Sequence, residues 1–348
     1  MPTRSDSGLR GPVHTVRFET DTWDAAAEQW ALRATGSFET FRPDGNLASR
    51  ESRTPDGAIH REVLLYDAAG RLLEGQVWRD ANRVSTTVYA YDPAGRLERL
   101  TSVAPDGTRN DIESFTYDSA GRKARIQYTD ERLVTGGSTN LFTDAEPVGA
   151  RPATITTTYD ERDLPIEDVS HDSQHIVVGR TTYERDGDGR LLREERFIAP
   201  TTLFSGLHDD FARLSPEKRA QFEAIVAAAM PGGAFGSKTV AYDRDGRVLE
   251  ERTTMGTMME EVTTYQYDRH GNPVEVSDET SAREVGADES GRAVSRNEEA
   301  TAHVTRYEYK YDAHDNWIER VTTSRSHDES DFWPTTRERR TITYYAAQ

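Results

Sequence analysis

The stretch Tyr89-Ala90-Tyr91-Asp92-Pro93-Ala94-Gly95-Arg96-Leu97 decides the fold, because its second half recurs along the chain. Clear copies of Tyr-Asp-x-x-Gly begin at Tyr66, Tyr91, Tyr117, Tyr242 and Tyr267. Weaker copies span Phe41 to Gly45, Tyr159 to Asp163, Tyr183 to Gly187 (with a second glycine at 189), Ala287 to Gly291 and Tyr311 to Asp315, which makes ten. The glycine column has a physical reason: a tight hairpin turn needs one residue at positive φ, which glycine adopts without steric cost. Two copies carry Asp163 and Asp315 there instead, and aspartate tolerates the left-handed region.

Working outward, Leu64, Tyr89, Phe115, Val240, Tyr265 and Tyr309 each stand two residues before the turn tyrosine. A period of two puts these side chains on one sheet face with that tyrosine. After each turn the chain restarts with apolar residues and then a charge, as in Leu72-Leu73-Glu74 and Val248-Leu249-Glu250. A second set of turns lies halfway between: Pro55-Asp56-Gly57, Pro105-Asp106-Gly107, and Asn82 at 12 residues after Gly70. Each repeat of about 25 residues is then two strands, with a near-edge turn at Tyr-Asp and a far-edge turn opposite. The fold expected is all-β: antiparallel β-hairpin repeats in one domain spanning 1–348, forming a long curled or partly closed sheet with one helical insertion. Roughly 20 strands at about 4.8 Å each give a sheet that must coil or close.

Composition fits a thin sheet. Hydrophobic residues make up 35% of the 348 residues, low for a thick core, and the mean hydropathy is −0.79. The 15 Tyr, 11 Phe and 5 Trp recur in register with the turns, which argues against disorder. A formal net charge of −18 makes nucleic acid and anionic lipid poor partners. No cysteine is present, so disulfides, thiolate metal sites and cysteine nucleophiles are excluded. No apolar run approaches the ~18–20 residues of a membrane-spanning helix, so membrane insertion by a helix is not expected.

The pattern Tyr-x-Tyr-Asp-x-x-Gly-Arg-Leu closely resembles the YD repeat of the bacterial Rhs (rearrangement hotspot) family, over nearly the whole chain except two insertions. Gly8-Leu9-Arg10-Gly11-Pro12-Val13, Asp315-Asn316-Trp317-Ile318 and Thr341-Ile342-Thr343-Tyr344-Tyr345 also resemble smaller bacterial surface or lipoprotein relatives. Large members wind their repeats into a hollow shell around a toxin. This chain has too few hairpins for that, and Asp92-Pro93-Ala94-Gly95 is a lone copy of the paired Asp-Pro-x-Gly motif used for self-cleavage. What the resemblance implies is an envelope or secreted location and a binding role.

Two insertions break the rhythm, at about 129–152, containing Leu141-Phe142, and at about 198–236. The second carries a helix signal: Ser215 as N-cap, Pro216 at the first helical position, Glu217 in the first turn and Pro231-Gly232-Gly233 as the stop. Phe222, Ile225, Val226 and Ala229 mark one apolar face, expected to cover an open end or face of the sheet. Both insertions start where a far-edge turn belongs. Between them lies the far-edge turn His171-Asp172-Ser173-Gln174-His175. Three excursions thus leave one edge on consecutive repeats, and in repeat proteins such excursions often build the binding face.

The candidate binding residues are therefore His171, Asp172, His175, His208, Asp209, Asp210 and Phe142. A His/Asp metal site among them is weighed against solvated turn residues, and the second reading is preferred because no helix aligns the histidines. No calcium loop, Gly-x-Ser-x-Gly elbow, P-loop or dinucleotide fingerprint is present, and no cofactor is expected. The tyrosine columns offer sugar-stacking surfaces, weighed against packing between repeats. Trp23 and Trp30, in an Ala-rich segment, are expected to plug the N-terminal end of the core. The function expected is a non-enzymatic binding or scaffold role toward a polypeptide or glycan, at the far-edge rim or concave face. The alternative is a carbohydrate-active hydrolase using rim carboxylates.

Overall fold

The computed structural model describes residues 3–54, 56–129, 153–198, 215–230, 233–287, 293–327 and 329–346. In chain order its strands are β1 (Val13–Asp24), β2 (Gln29–Phe41), β3 (Leu47–Arg53), β4 (Ile59–Tyr66), β5 (Leu72–Arg79), β6 (Asn82–Tyr91), β7 (Leu97–Val103), β8 (Arg109–Tyr117) and β9 (Lys123–Tyr128). Then come β10 (Thr154–Tyr159), β11 (Pro165–His171), β12 (Val177–Arg185), β13 (Leu191–Ile198), helix α1 (Pro216–Ala229), β14 (Ala234–Tyr242), β15 (Val248–Met255) and β16 (Met259–Tyr267). The last are β17 (Pro273–Ala287), β18 (Ala293–Asn297), β19 (Thr301–Tyr311), β20 (Trp317–Ser326) and β21 (Trp333–Tyr344). The chain divides into two compact units: Met1–Ile112 with Tyr267–Glu275 and Val304–Gln348, and Glu113–Gln266 with Val276–His303.

The first unit is a meander from β1 to β7 in which each strand pairs antiparallel with the next. It also joins the two ends of the chain, because β1 pairs with β21 as well as with β2. The second unit is a similar meander from the end of β8 to β16, with the hairpin β17–β18.

Every near-edge turn described uses one backbone solution. The first residue donates its N–H to the carbonyl of the fifth and accepts from the fourth, as in Asp67 N to Arg71 O at 2.9 Å and Gly70 N to Asp67 O at 3.1 Å. The fourth residue takes positive φ: 79° at Gly70, 82° at Gly95 and Gly246, 62° at Asp163 and 60° at Asp315. A one-residue bulge follows directly. Tyr66 pairs with Leu72 and Leu65 with Glu74, which leaves Leu73 unpaired. The same slip recurs after Leu97, Lys123, Pro165, Leu191 and Val248. This accounts for the apolar doublet after each turn: Leu72 points into the core, while the bulged Leu73, Ile166, Leu192 and Leu249 are exposed. Bulges bend and twist the strand they interrupt.

Two expectations about turns need correction. The copy read as Tyr183 to Gly187 sits two residues later, as Asp186-Gly187-Asp188-Gly189-Arg190, because Gly189 and not Gly187 holds positive φ (85°). Asn82 is not a turn residue but the first of β6. The two-residue turn is Asp80-Ala81, with Asp80 itself at φ 53°.

The core of the first unit is Leu9, Val13, Val16, Phe41, Leu47, Leu64 and Leu72, with Phe18, Tyr66, Tyr89, Ile342 and Tyr344 packed on it. Each such aliphatic side chain, fully buried, contributes about 1.5–3 kcal/mol. The column two before the turn is buried as expected at Leu64, Phe115 and Val240. Trp23 and Trp30 do not plug this core. They are a half-buried cross-strand pair flanking the far-edge hairpin of β1 and β2, ring centroids 5.2 Å apart.

In the second unit α1 starts as expected: the Ser215 side chain accepts from Lys218 N at 3.3 Å, with Pro216 in the first turn. It lies against β18, and its burial is concentrated at the C-terminal end. Ile225 and Val226 are half-buried and only Ala229, among the described side chains of the helix, is fully so. The anchor is its C-terminal end, where Thr257 N donates to Ala229 O at 2.8 Å, supplying a donor that a terminal helix carbonyl lacks. A Cβ at Gly256 would lie 2.1 Å from that oxygen, so the β15–β16 turn reaches the helix because it is glycine.

The turn geometry sets a test. Val at Gly95 or Gly246 is expected to cost about 1–2 kcal/mol or more in urea unfolding, from left-handed strain on a β-branched residue, and Asn much less. Equal losses for Val and Asn would contradict the geometry.

Candidate functional site

The near edge is a repeating interlock. Asp67 Oδ1 accepts from the backbone N–H of Ala69 (2.9 Å) and Arg71 (2.8 Å), while Oδ2 accepts from Arg71 Nε (2.7 Å). The same Asp–Arg clamp, at 2.7 Å, closes the turns of Asp92, Asp118, Asp186 and Asp243. Three of the arginines so held lie under the tyrosine of the following repeat: Arg71 under Tyr91, Arg122 under Tyr159 and Arg190 under Tyr242, all 5.0 Å from the ring centroid. That tyrosine then donates its hydroxyl to the carbonyl just after the same arginine: Tyr91 to Leu72 O (2.8 Å), Tyr159 to Lys123 O (2.5 Å) and Tyr242 to Leu191 O (2.9 Å). The tyrosine columns are thus occupied in joining repeats. In the shifted copy Arg185 stands in the tyrosine column and reaches Pro165 O at 3.4 Å.

Two turns in the first unit use a different chemistry. Where the fifth residue is Asn272 or Asn316, its amide donates to the hydroxyl oxygen of Tyr311 or Tyr344 at 2.8 Å, and that hydroxyl donates to Asp268 or Asp312. His270 and His314 stack on the same tyrosines, centroids 4.1 and 4.0 Å apart. Burial, then the Asp312 carboxylate, pushes the Tyr344 phenol up to about 12. These groups are mutually satisfied, and a phenol so raised is no base at neutral pH.

The far edge of the second unit holds the residues singled out from sequence. His171, Asp172 and His175 share one turn, built on the near-edge plan: Asp172 Oδ1 accepts from Gln174 N (2.8 Å) and Ile176 N (2.9 Å), and His175 fills the glycine slot at φ 63°. The adjoining Ile176 and Val177 are 53% and 49% exposed. Phe142, His208, Asp209 and Asp210 lie outside the described residues. Among the described residues no group of three or more His, Asp or Glu side chains is placed to hold a metal ion.

Sequence reasoning missed the far edge of the first unit. There Trp333, 56% exposed, opens β21 directly after the β20–β21 turn. Beside it Phe332 carries the guanidinium groups of Arg306 at 4.0 Å and Arg325 at 5.0 Å. The Trp23–Trp30 pair flanks the neighbouring hairpin, with Arg337 5.2 Å from Trp30, and Trp78 near the end of β5 lies under Arg61 at 5.5 Å. Four of the five tryptophans therefore stand beside far-edge turns, each with arginine in contact or close in sequence. The signal was present in the sequence as Trp positions relative to the turns, which a search for catalytic motifs passes over.

A family model described as RHS Repeat matches residues 66–109 and 242–283, the segments around the Asp67, Asp92, Asp243 and Asp268 turns. In those two segments the chain carries RHS repeats. Among solved structures the chain is similar to a chain of the Photorhabdus luminescens Tc holotoxin pore, at 14% identity over 84% of this chain and 16% of that one, with a TM-score of 0.36. It is also similar to a porin-like protein from Bacteroides uniformis, at 10% identity over 96% of this chain and 98% of that one, with a TM-score of 0.35. The chain thus spans only 16% of the toxin chain it matches. No curated protein matches it.

The turn carboxylates set a pH dependence. Backbone N–H groups and then the guanidinium of Arg71 or Arg96 hold Asp67 and Asp92 below the usual carboxylate range. Carboxylates depressed on folding stabilise above their ordinary pKa of about 4 and lose that effect as pH falls through the folded value. At the other end, burial raises the phenols of Tyr66 and Tyr91, whose contribution is complete below about pH 10 and is lost above it. The urea midpoint is therefore expected to be flat between pH 5 and 9 and to fall below about pH 4 and above about pH 10. A steady decline between pH 7 and 5 would contradict this.

Proposed function

We propose that this RHS-repeat chain is a non-enzymatic binding scaffold of the bacterial envelope or secreted space, holding a polypeptide or glycan at its far edge. The observation that carries the reading is Trp333, a large apolar side chain 56% exposed on a hairpin shoulder, next in sequence to Phe332 with its two stacked arginines. Tryptophan and arginine are the residue types that dominate binding hot spots, because each combines a large flat surface with a polar edge. Stacking also holds a guanidinium plane in one orientation while leaving edge donors free for a ligand. The division of labour between edges supports the same reading: the near-edge tyrosines and carboxylates are consumed in joining repeats, whereas the far edge carries exposed side chains. The resemblance to the repeat family supports the envelope setting.

The test is a screen of the intact protein against immobilised bacterial polysaccharides and a displayed peptide library, repeated with Trp333→Ala. Loss of at least tenfold in affinity for whatever is selected, with an unchanged melting temperature, is the expected result. Selected ligands that bind the variant as tightly as the parent would overturn the placement of the site.

A further inference from the structure

Each hairpin pairing in the first unit is closed by a short turn, but β1 and β21 are brought together from opposite ends of the chain. Closing so long a loop carries an entropic cost that no turn residue offsets. The structure fastens this seam at both ends. At the far end the carboxylate of Asp21, 2% exposed, accepts from Arg337 Nε at 2.8 Å and Arg339 Nη2 at 3.1 Å. At the near end the fastening is the segment before β1.

That segment runs across the first near-edge turn of the unit and the last two described in it. Arg4 N donates to Gly45 O at 3.0 Å and its Nη2 to Pro43 O at 3.2 Å, both in the turn after β2. Leu9 enters the core beside Val13, Phe41 and Leu47. Arg10 then forms a two-way bond with the Asn316 side chain, N to Oδ1 at 2.6 Å and Nδ2 to Arg10 O at 2.9 Å, across 306 residues of sequence. Asn316 is 1% exposed, and its amide bridges onward to Tyr344 at the end of β21. Arg10 Nη2 reaches His270 O at 2.8 Å. Gly11, at φ 75°, passes His314 so closely that a Cβ would lie 3.2 Å from its ring. Tyr345 completes the contact, its N–H on Pro12 O at 2.8 Å and its hydroxyl on Phe41 O at 2.6 Å.

We propose that residues 3–12 are a clasp, seated on the turns at 42–46, 268–272 and 312–316, that locks β21 onto β1 and sets how readily this seam opens. Asn316 is the positioning residue of the seat: its amide takes the place of a strand neighbour for Arg10. The seam is then the built-in opening point of the unit, released by displacing the clasp and not by breaking hairpins.

The experiment is amide hydrogen exchange on the full chain carrying Asn316→Ala, and separately Arg10→Pro, which removes the N–H donor at an exposed position. A further pair, Thr15→Cys with Thr343→Cys, tests the seam itself. Those hydroxyls are 2.6 Å apart on opposed strands, and the chain has no other cysteine. Either clasp variant is expected to speed exchange at the near half of the seam, Val13–Phe18 and Arg340–Tyr344, at least tenfold, with β4 to β6 unchanged. Oxidising the cysteine pair should abolish that acceleration. Unchanged exchange at the seam, equal acceleration of all strands, or acceleration that persists in the oxidised form would each overturn the proposal.

Discussion

The guanidinium that its own turn aspartate holds beneath the tyrosine of the next repeat is the contact on which the rest of this architecture depends. A meander's backbone hydrogen bonds fix neighbouring strands, but they do not distinguish one repeat from the next or set the coil of the sheet. Here the Asp–Arg clamp fixes the turn, the arginine fixes the next ring, and the ring's hydroxyl returns to the carbonyl beside that arginine. Each piece is worth little alone: solvent screens a surface ion pair, and an exposed cation–π contact contributes about 0.5–1 kcal/mol. Their weight comes from repetition along one edge with the same side-chain geometry.

That edge also explains why the chain tolerates interruption. The hydroxyl of Tyr91 reaches back 19 residues to Leu72, that of Tyr159 reaches back 36, and that of Tyr242 reaches back 51. The interlock is the same in all three. The near edge therefore keeps its pairing whatever the sequence distance between the partners. Loop closure grows only slowly with length, which makes such additions cheap in free energy. Helix α1 illustrates the rule: it hangs from the β15–β16 turn by its C-terminal end.

Much of this was legible in the sequence, and the parts that were not share a cause. The glycine column, the buried residue two before each turn, the aspartate substitutes at 163 and 315 and the cap of α1 all follow from local rules of φ, period and capping. The frame of the Tyr183 copy was misread because two glycines, 187 and 189, compete locally, and only the pairing of Arg185 with Leu191 decides between them. Asp80 was overlooked for Asn82 because spacing from Gly70 was used in place of turn type. The bulges, the clasp at Asn316 and the tryptophan-bearing far edge depend on partners tens to hundreds of residues away. Single-sequence periodicity does not contain them. For the candidate site the sequence located the far edge and the His171–His175 turn, and it missed Trp333, whose significance is its exposure.

The most direct measurement of the central claim is a double-mutant cycle between Arg71 and Tyr91, which stand in different repeats 5.0 Å apart. Urea unfolding of Arg71→Ala, Tyr91→Leu and the double variant gives the coupling energy free of each residue's separate roles. The interlock predicts a favourable coupling of about 0.5–1 kcal/mol, and a similar value for Arg190 with Tyr242, where an insertion separates the partners. Coupling indistinguishable from zero at both sites would mean that strand pairing alone orders the repeats, and would contradict the account.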